Sequence, residues 1–134
     1  MAISMDDQNK FRQLFLESAH NYLSDLEKNL DLLFQDINNE EAINSIYIDA
    51  HSIKGQGFMM KYTSLAYICA AIEKIFRSRK EKTLVLTKEI LLVVKNAEVI
   101  IKETLSEIEK NGSELELTKE INVLEDLIKK NNII

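Results

Sequence analysis

No proline interrupts this chain, and from Phe11 to Ile128 apolar side chains recur at steps of three and four. This pairing constrains the fold more than any other feature. Without proline a chain can run long helices unbroken, and a period near 3.6 gives each helix one apolar face to bury. Glycine is nearly as scarce, at three residues, while Leu, Ile, Lys and Glu are abundant. A β-rich fold would need more turn residues. The 134 residues, 46% of them hydrophobic, suffice for one domain with an ordinary core. The expectation is an all-α fold: an antiparallel four-helix bundle with an additional C-terminal fifth helix. It is expected to be one domain over residues 1–134, its core at about 6–110 and its last helix at about 117–130.

The periodicity places the helices. From Asp6 to about Phe34, Phe11, Leu14, Phe15, Ala19, Tyr22, Leu23, Leu26, Leu30, Leu33 and Phe34 form one stripe, with Ser4 as the N-cap and Asp6 and Asp7 at the positive end of the dipole. Asp36 to Asn39 breaks the pattern, and Asn38 or Asn39 before Glu40 and Glu41 starts a second helix to about Met59. Its stripe is Ile43, Ile46, Ala50, Ile53 and Gly57. After a short connection at Lys61 to Thr63, Thr63 or Ser64 caps a third helix to about Arg79, striped by Leu65, Ile68, Cys69, Ile72, Ile75 and Phe76. Thr87 opens a fourth, with Leu91, Val94, Ala97, Ile101, Leu105 and Ile108 inward, and Asn111-Gly112 stops it near Lys110. A fifth, at about Leu117 to Lys130, carries Ile121, Leu124 and Ile128.

Composition excludes several function classes. A net charge of −5 and a pI near 5.1 argue against a nucleic-acid backbone as partner. The basic run Arg77 to Lys82, interrupted by Ser78 and Glu81, reads as a solvated helix end. The one cysteine, Cys69, sits among apolar neighbours and reads as buried and unreactive. The start Met1 to Asp7 lacks the basic and apolar parts of a signal peptide, and no apolar run reaches the roughly 18 residues of a membrane span. A cytoplasmic protein without membrane insertion is expected.

One stretch is unexplained by helix formation. Ala50 to Phe58 reads Ala-His-Ser-Ile-Lys-Gly-Gln-Gly-Phe, with two of the three glycines inside a helix-patterned segment. Each costs about 1 kcal/mol relative to alanine there. His51 falls roughly 120° from the middle of the apolar stripe, on a flank open to solvent. Glu73 holds a similar offset on the third helix, and a short connection makes the two helices antiparallel neighbours whose flanks can face each other.

These residue types suit a phosphoryl-accepting imidazole. Such a ring must present one nitrogen as a free lone pair while the other keeps its proton, which requires an acceptor to fix the tautomer. Glu73 is the best-placed acceptor. Lys54, one turn along at i+3, supplies a cation for the phosphoryl charge. Gly55, at i+4, leaves room for a partner's active site to approach. Gly57 has no comparable role and fits a fraying helix end. Ser52 points about 100° from His51, which argues against a serine nucleophile and leaves it, with Gln56, on a partner-contact surface.

The segment Ala50-His51-Ser52-Ile53-Lys54-Gly55 resembles the phosphoacceptor motif of histidine phosphotransfer (HPt) domains, in particular the N-terminal phosphotransfer domain of CheA-type chemotaxis histidine kinases. The likeness extends to Phe15-Leu16-Glu17-Ser18-Ala19, Thr63-Ser64-Leu65, Ile72-Glu73 and Leu86-Thr87, and weakens in the fifth helix. It implies a phosphoryl carrier: His51 accepts from an ATP-bound kinase domain and passes the group to a response-regulator aspartate. It implies Lys54 as charge stabiliser, Gly55 as clearance and Glu73 as hydrogen-bond partner. ATP and magnesium would belong to the kinase domain, with no cofactor or metal held by this chain, which is no kinase in isolation. The resemblance favours the first domain of a larger kinase over a free-standing protein.

Two positions depart from many relatives. Gln56 stands where a small or hydroxyl residue follows the glycine in many relatives, a departure that bears on any phosphate contact from that position and on partner choice. Lys61 stands where many have a turn glycine, so the turn is reshaped or Lys61 accepts strain.

Two other classes compete. A non-catalytic helical adaptor would dock a signalling partner through the same glycine-marked surface. A metal-dependent bundle enzyme would need ligands, but His20 and His51 lie 31 positions apart on separate helices, and Glu40 and Glu41 are not followed by the Glu-x-x-His pattern of carboxylate-bridged metal bundles. His20 reads as a surface residue. No nucleotide-binding glycine motif occurs.

Overall fold

The computed structural model describes residues 4–132. The residues 1–3 and 133–134 lie outside this range, and with them part of the N-terminal leader reading and the two ends of the expected domain. Five helices follow in order: α1 Met5–Gln35, α2 Glu40–Met59, α3 Thr63–Lys80, α4 Lys88–Asn111 and α5 Thr118–Asn131. Helix α1 packs on α2 and α4, α3 packs on the same two, and α5 lies against α3 and α4. The result is the expected four-helix bundle with a fifth helix alongside.

Three starts are capped as their sequences specify. Ser4 Oγ accepts from the Asp7 amide at 3.1 Å, Asn39 Oδ1 from Ala42 at 3.1 Å, and Thr87 Oγ1 from Ile90 at 3.2 Å. The start of α3 differs from the expectation. Its N-cap is Tyr62, without a side-chain cap, and Thr63 and Ser64 lie inside the helix. The first-turn amide of buried Leu65 instead donates to Glu114 Oε1 at 2.9 Å, a carboxylate from the α4–α5 connection. A side chain from a distant segment thus does the work of a local cap.

The stripes of α2, α3 and α4 are buried as expected, and Leu26, Leu30, Ile43, Ile53, Ile72 and Phe76 are among the fully enclosed side chains. The stripe of α1 needs correction at its ends. Phe11 and Leu14 are 51% and 55% exposed, Phe34 is also exposed, and the buried face begins at Phe15. At 1.5 Å per residue the 31 residues of α1 outrun the 20 of α2 by about three turns' rise, so its first turns have no helix α2 to cover them.

The basic run also departs from a purely solvated reading. Arg79 Nη2 reaches Glu40 Oε1 at 2.6 Å and Lys80 Nζ reaches Asn44 Oδ1 at 2.7 Å, tying the end of α3 to the start of α2. At the other end of this pair the chain turns through Lys61 at φ 65°, so Lys61 takes the left-handed strain. Gly57 is explained by packing. A Cβ there would stand 3.2 Å from both the Cβ and the backbone nitrogen of Ala66, so the glycine lets α2 and α3 approach closely beside their turn.

Candidate functional site

The close pairing of α2 with α3 sets two flanks side by side. His51 projects from α2 with its side chain 61% exposed, whereas Glu73 on α3 is 4% exposed. His51 Nδ1 lies 2.9 Å from Glu73 Oε1. The buried carboxylate is the acceptor, so the proton resides on Nδ1 and Nε2 is left with its lone pair toward solvent. The other oxygen, Oε2, takes Lys54 Nζ at 2.6 Å, and Arg77 Nη1 stands 3.9 Å from Oε1.

Electrostatics keep this carboxylate charged. Burial alone would push the Glu73 carboxyl up, but hydrogen bonds from Lys54 and His51, reinforced by their charges, outweigh it and leave the group below its ordinary value. An anion beneath the imidazole fixes its tautomer.

The remaining expected residues are placed as follows. Gly55 is exposed, and a Cβ there would meet nothing within 4 Å. The space beside the imidazole is therefore open to a partner. Ser52 Oγ donates to the Ile48 carbonyl at 2.8 Å, within its own helix. Gln56 turns toward α1, where Nε2 donates to Ser18 Oγ at 2.7 Å. It also borders an apolar groove of about 660 Å³ lined by Phe11, Leu14, Phe15, Met59 and Met60. His20 lies half-buried on α1, near Arg12, Glu17 and Glu109, away from this constellation. Cys69 is fully buried, and burial first and the charge of Glu73 second push its thiol far up. Among the described residues no group of three His, Cys, Asp or Glu side chains gathers as metal ligands. No helix of the described residues is long and apolar enough to cross a membrane.

Two residues around His51 escaped the sequence reading. Tyr47 stacks on the imidazole from one turn before it, a neighbour that i−4 spacing signals. Arg77 approaches Glu73 at i+4 on α3, which the same rule would have found.

The model of the Hpt domain family matches residues 10–129. The chain belongs to the Hpt domain family. As an Hpt domain it is a phosphoryl carrier of two-component signalling. It is 25% identical over 116 residues to the chemotaxis protein CheA of Listeria monocytogenes, a match covering 86% of this chain and 19% of that protein. The chain thus spans about a fifth of the length of that relative.

Two solved structures share the fold. The phosphorylated P1 domain of CheA3 in complex with CheY6 from R. sphaeroides superposes with a TM-score of 0.84 at 14% identity, covering 92% of this chain and 98% of that one. The solution structure of the histidine phosphotransfer domain of CheA gives a TM-score of 0.82 at 24% identity, covering 90% of each. This Hpt domain therefore shares its helical architecture with phosphotransfer domains across most of its length.

Proposed function

We propose that His51 is the phosphoacceptor of this Hpt domain and that it serves chemotaxis signalling in the cytoplasm. The observation that carries the reading is the 2.9 Å contact between His51 Nδ1 and the buried Glu73, which leaves Nε2 free and outward. The Nε2 lone pair attacks the γ-phosphorus of ATP held by a histidine kinase domain. The bond from that phosphorus to the bridging oxygen breaks, and ADP leaves with the electron pair. The Nδ1 proton stays in place, and its bond to Glu73 strengthens as the ring gains positive charge.

Lys54 supplies a cation beside the new phosphoryl group, and Gly55 leaves space for the kinase and receiver active sites. Ser52 and Gln56 lie on the surface those partners approach. Nucleotide and magnesium belong to the kinase domain, on this or another chain. In the onward step a receiver-domain aspartate attacks phosphorus and His51 leaves as neutral imidazole. The relationship to CheA proteins supports chemotaxis as the setting, and the neighbouring P1 domain bound to CheY6 supports a receiver domain as recipient.

The test is onward transfer. The chain is labelled with the cognate CheA kinase domain and γ-labelled ATP, separated from the kinase, and mixed with a receiver domain and magnesium. The label should move to the receiver within the mixing experiment, and His51→Gln should take up none. The apolar groove beside Gln56 favours a second reading, a docking adaptor. In that case a receiver would still bind while no label was ever taken up.

A further inference from the structure

The imidazole of His51 is supported on its face as well as its edge. The ring of Tyr47 lies against it with centroids 6.4 Å apart and planes inclined by 22°, within the range of an offset stack. Tyr47 is itself held from α3. Lys80 Nζ stands 4.5 Å over the phenol ring and donates to Asn44 Oδ1 at 2.7 Å, so the ammonium over the ring is anchored to α2 one turn before Tyr47. Helix α3 therefore supports the histidine at two levels: Glu73 takes the ring edge, and Lys80, two turns further along, secures the aromatic behind it.

We propose that Tyr47, braced by Lys80, is a positioning residue for phosphoryl transfer at His51. The proposal rests on His51 being the acceptor. A single hydrogen bond at Nδ1 fixes the place of one ring atom and still lets the ring pivot about that contact. The exposed side of the ring offers no packing to stop it. A flat face against the ring removes the pivot and fixes the direction of the Nε2 lone pair. In-line displacement needs that direction held, because the attacking lone pair must point at phosphorus opposite the leaving oxygen. Tyr47 makes no bond to the transferred group, and only its ring face is needed.

The experiment compares two phosphoryl donors. A kinase domain presents ATP in a fixed orientation and so rewards a preset imidazole, whereas free phosphoramidate can approach from any side. With the cognate CheA kinase domain, Tyr47→Leu should be phosphorylated about five- to tenfold more slowly than the unaltered chain, the scale of one aromatic pair. With phosphoramidate the two should agree within about twofold. Tyr47→Phe should restore the kinase-dependent rate. Lys80→Met should slow it about two- to threefold and add nothing in the Tyr47→Leu background.

Circular dichroism melts verify that each variant is folded, and Lys80→Met carries the test if Tyr47→Leu is not. Equal kinase-dependent rates for Tyr47→Leu and the unaltered chain would overturn the positioning role while leaving His51 as acceptor. So would an equal loss with both donors, or failure of phenylalanine to restore the rate. An unaltered chain that takes no label would instead overturn the reading of His51 itself.

Discussion

Lys54 Nζ and Glu73 Oε2 lie 2.6 Å apart, on the same carboxylate whose other oxygen holds His51 Nδ1 at 2.9 Å. One buried anion thus sets the tautomer of the histidine and holds the nearby cation. Glu73→Gln keeps the shape and an acceptor oxygen but removes the charge. Loss of a charge-assisted bond of about 1.5–3 kcal/mol should slow phosphorylation by about 10- to 100-fold, measured as initial rate with the kinase domain.

The same pairing has a pH signature. The folded Glu73 carboxyl lies below its ordinary value of 4.5, so the stability it contributes is fully present above that value. It is lost as pH falls through the folded value. Urea melts taken from pH 6 downward should show an acid-side loss that is smaller in Glu73→Gln.

The two glycines of α2 should respond in opposite ways. Nothing lies within 4 Å of a Cβ at Gly55, so Gly55→Ala should stabilise the bundle by about 0.5–1 kcal/mol. Gly55→Leu should remain folded and yet slow transfer, by filling the clearance beside His51. At Gly57 a Cβ would meet the backbone of Ala66 at 3.2 Å. Overpacking of about 1–3 kcal/mol outweighs the helix gain of about 1 kcal/mol, and Gly57→Ala should lower the melting temperature.

Most helix ends were legible within one or two residues, because caps such as Asn39 and Thr87 and stops such as Gly112 act locally. The cap of α3 was not, since Glu114 reaches Leu65 across 49 positions of sequence. Phe11 and Leu14 continue the α1 stripe beyond the end of α2, and periodicity marks a face without saying what covers it. At the site, helical offset paired His51 with Glu73. That Lys54 would bind the same carboxylate depended on the register of α2 against α3, which no single helix encodes.

A second carboxylate is neutral where Glu73 is charged. Asp49, buried against α1, is pushed up to about 8, first by burial and then by its hydrogen bond with Asp25 and the charge of that residue. The protonated form is the stable one in the fold. This contribution is fully present below the unfolded value near 3.9, declines as pH rises, and is gone above the folded value. Asp49→Asn preserves a donor without a titrating proton. It should flatten this decline and be at least about 1 kcal/mol more stable than the unaltered chain above pH 8, in urea melts at pH 6 and pH 8.5.

The left-handed turn at Lys61 stores removable strain. A non-glycine residue at φ 65° costs about 1–2 kcal/mol, part of which glycine returns in unfolded-chain entropy. Lys61→Gly should raise stability by about 0.5–1 kcal/mol, with the kinase-dependent rate unchanged.

The proposed transfer turns on one nitrogen atom, Nε2 of His51. Heteronuclear NMR of the chain, after incubation with the cognate CheA kinase domain and ATP, locates the phosphoryl group and the ring proton together. Acid-labile phosphate is expected on Nε2 of His51, with Nδ1 still protonated and bonded to Glu73, and no incorporation in His51→Gln. Phosphate on Nδ1, or persistent labelling of His51→Gln, would overturn the assignment of His51 Nε2 as the acceptor.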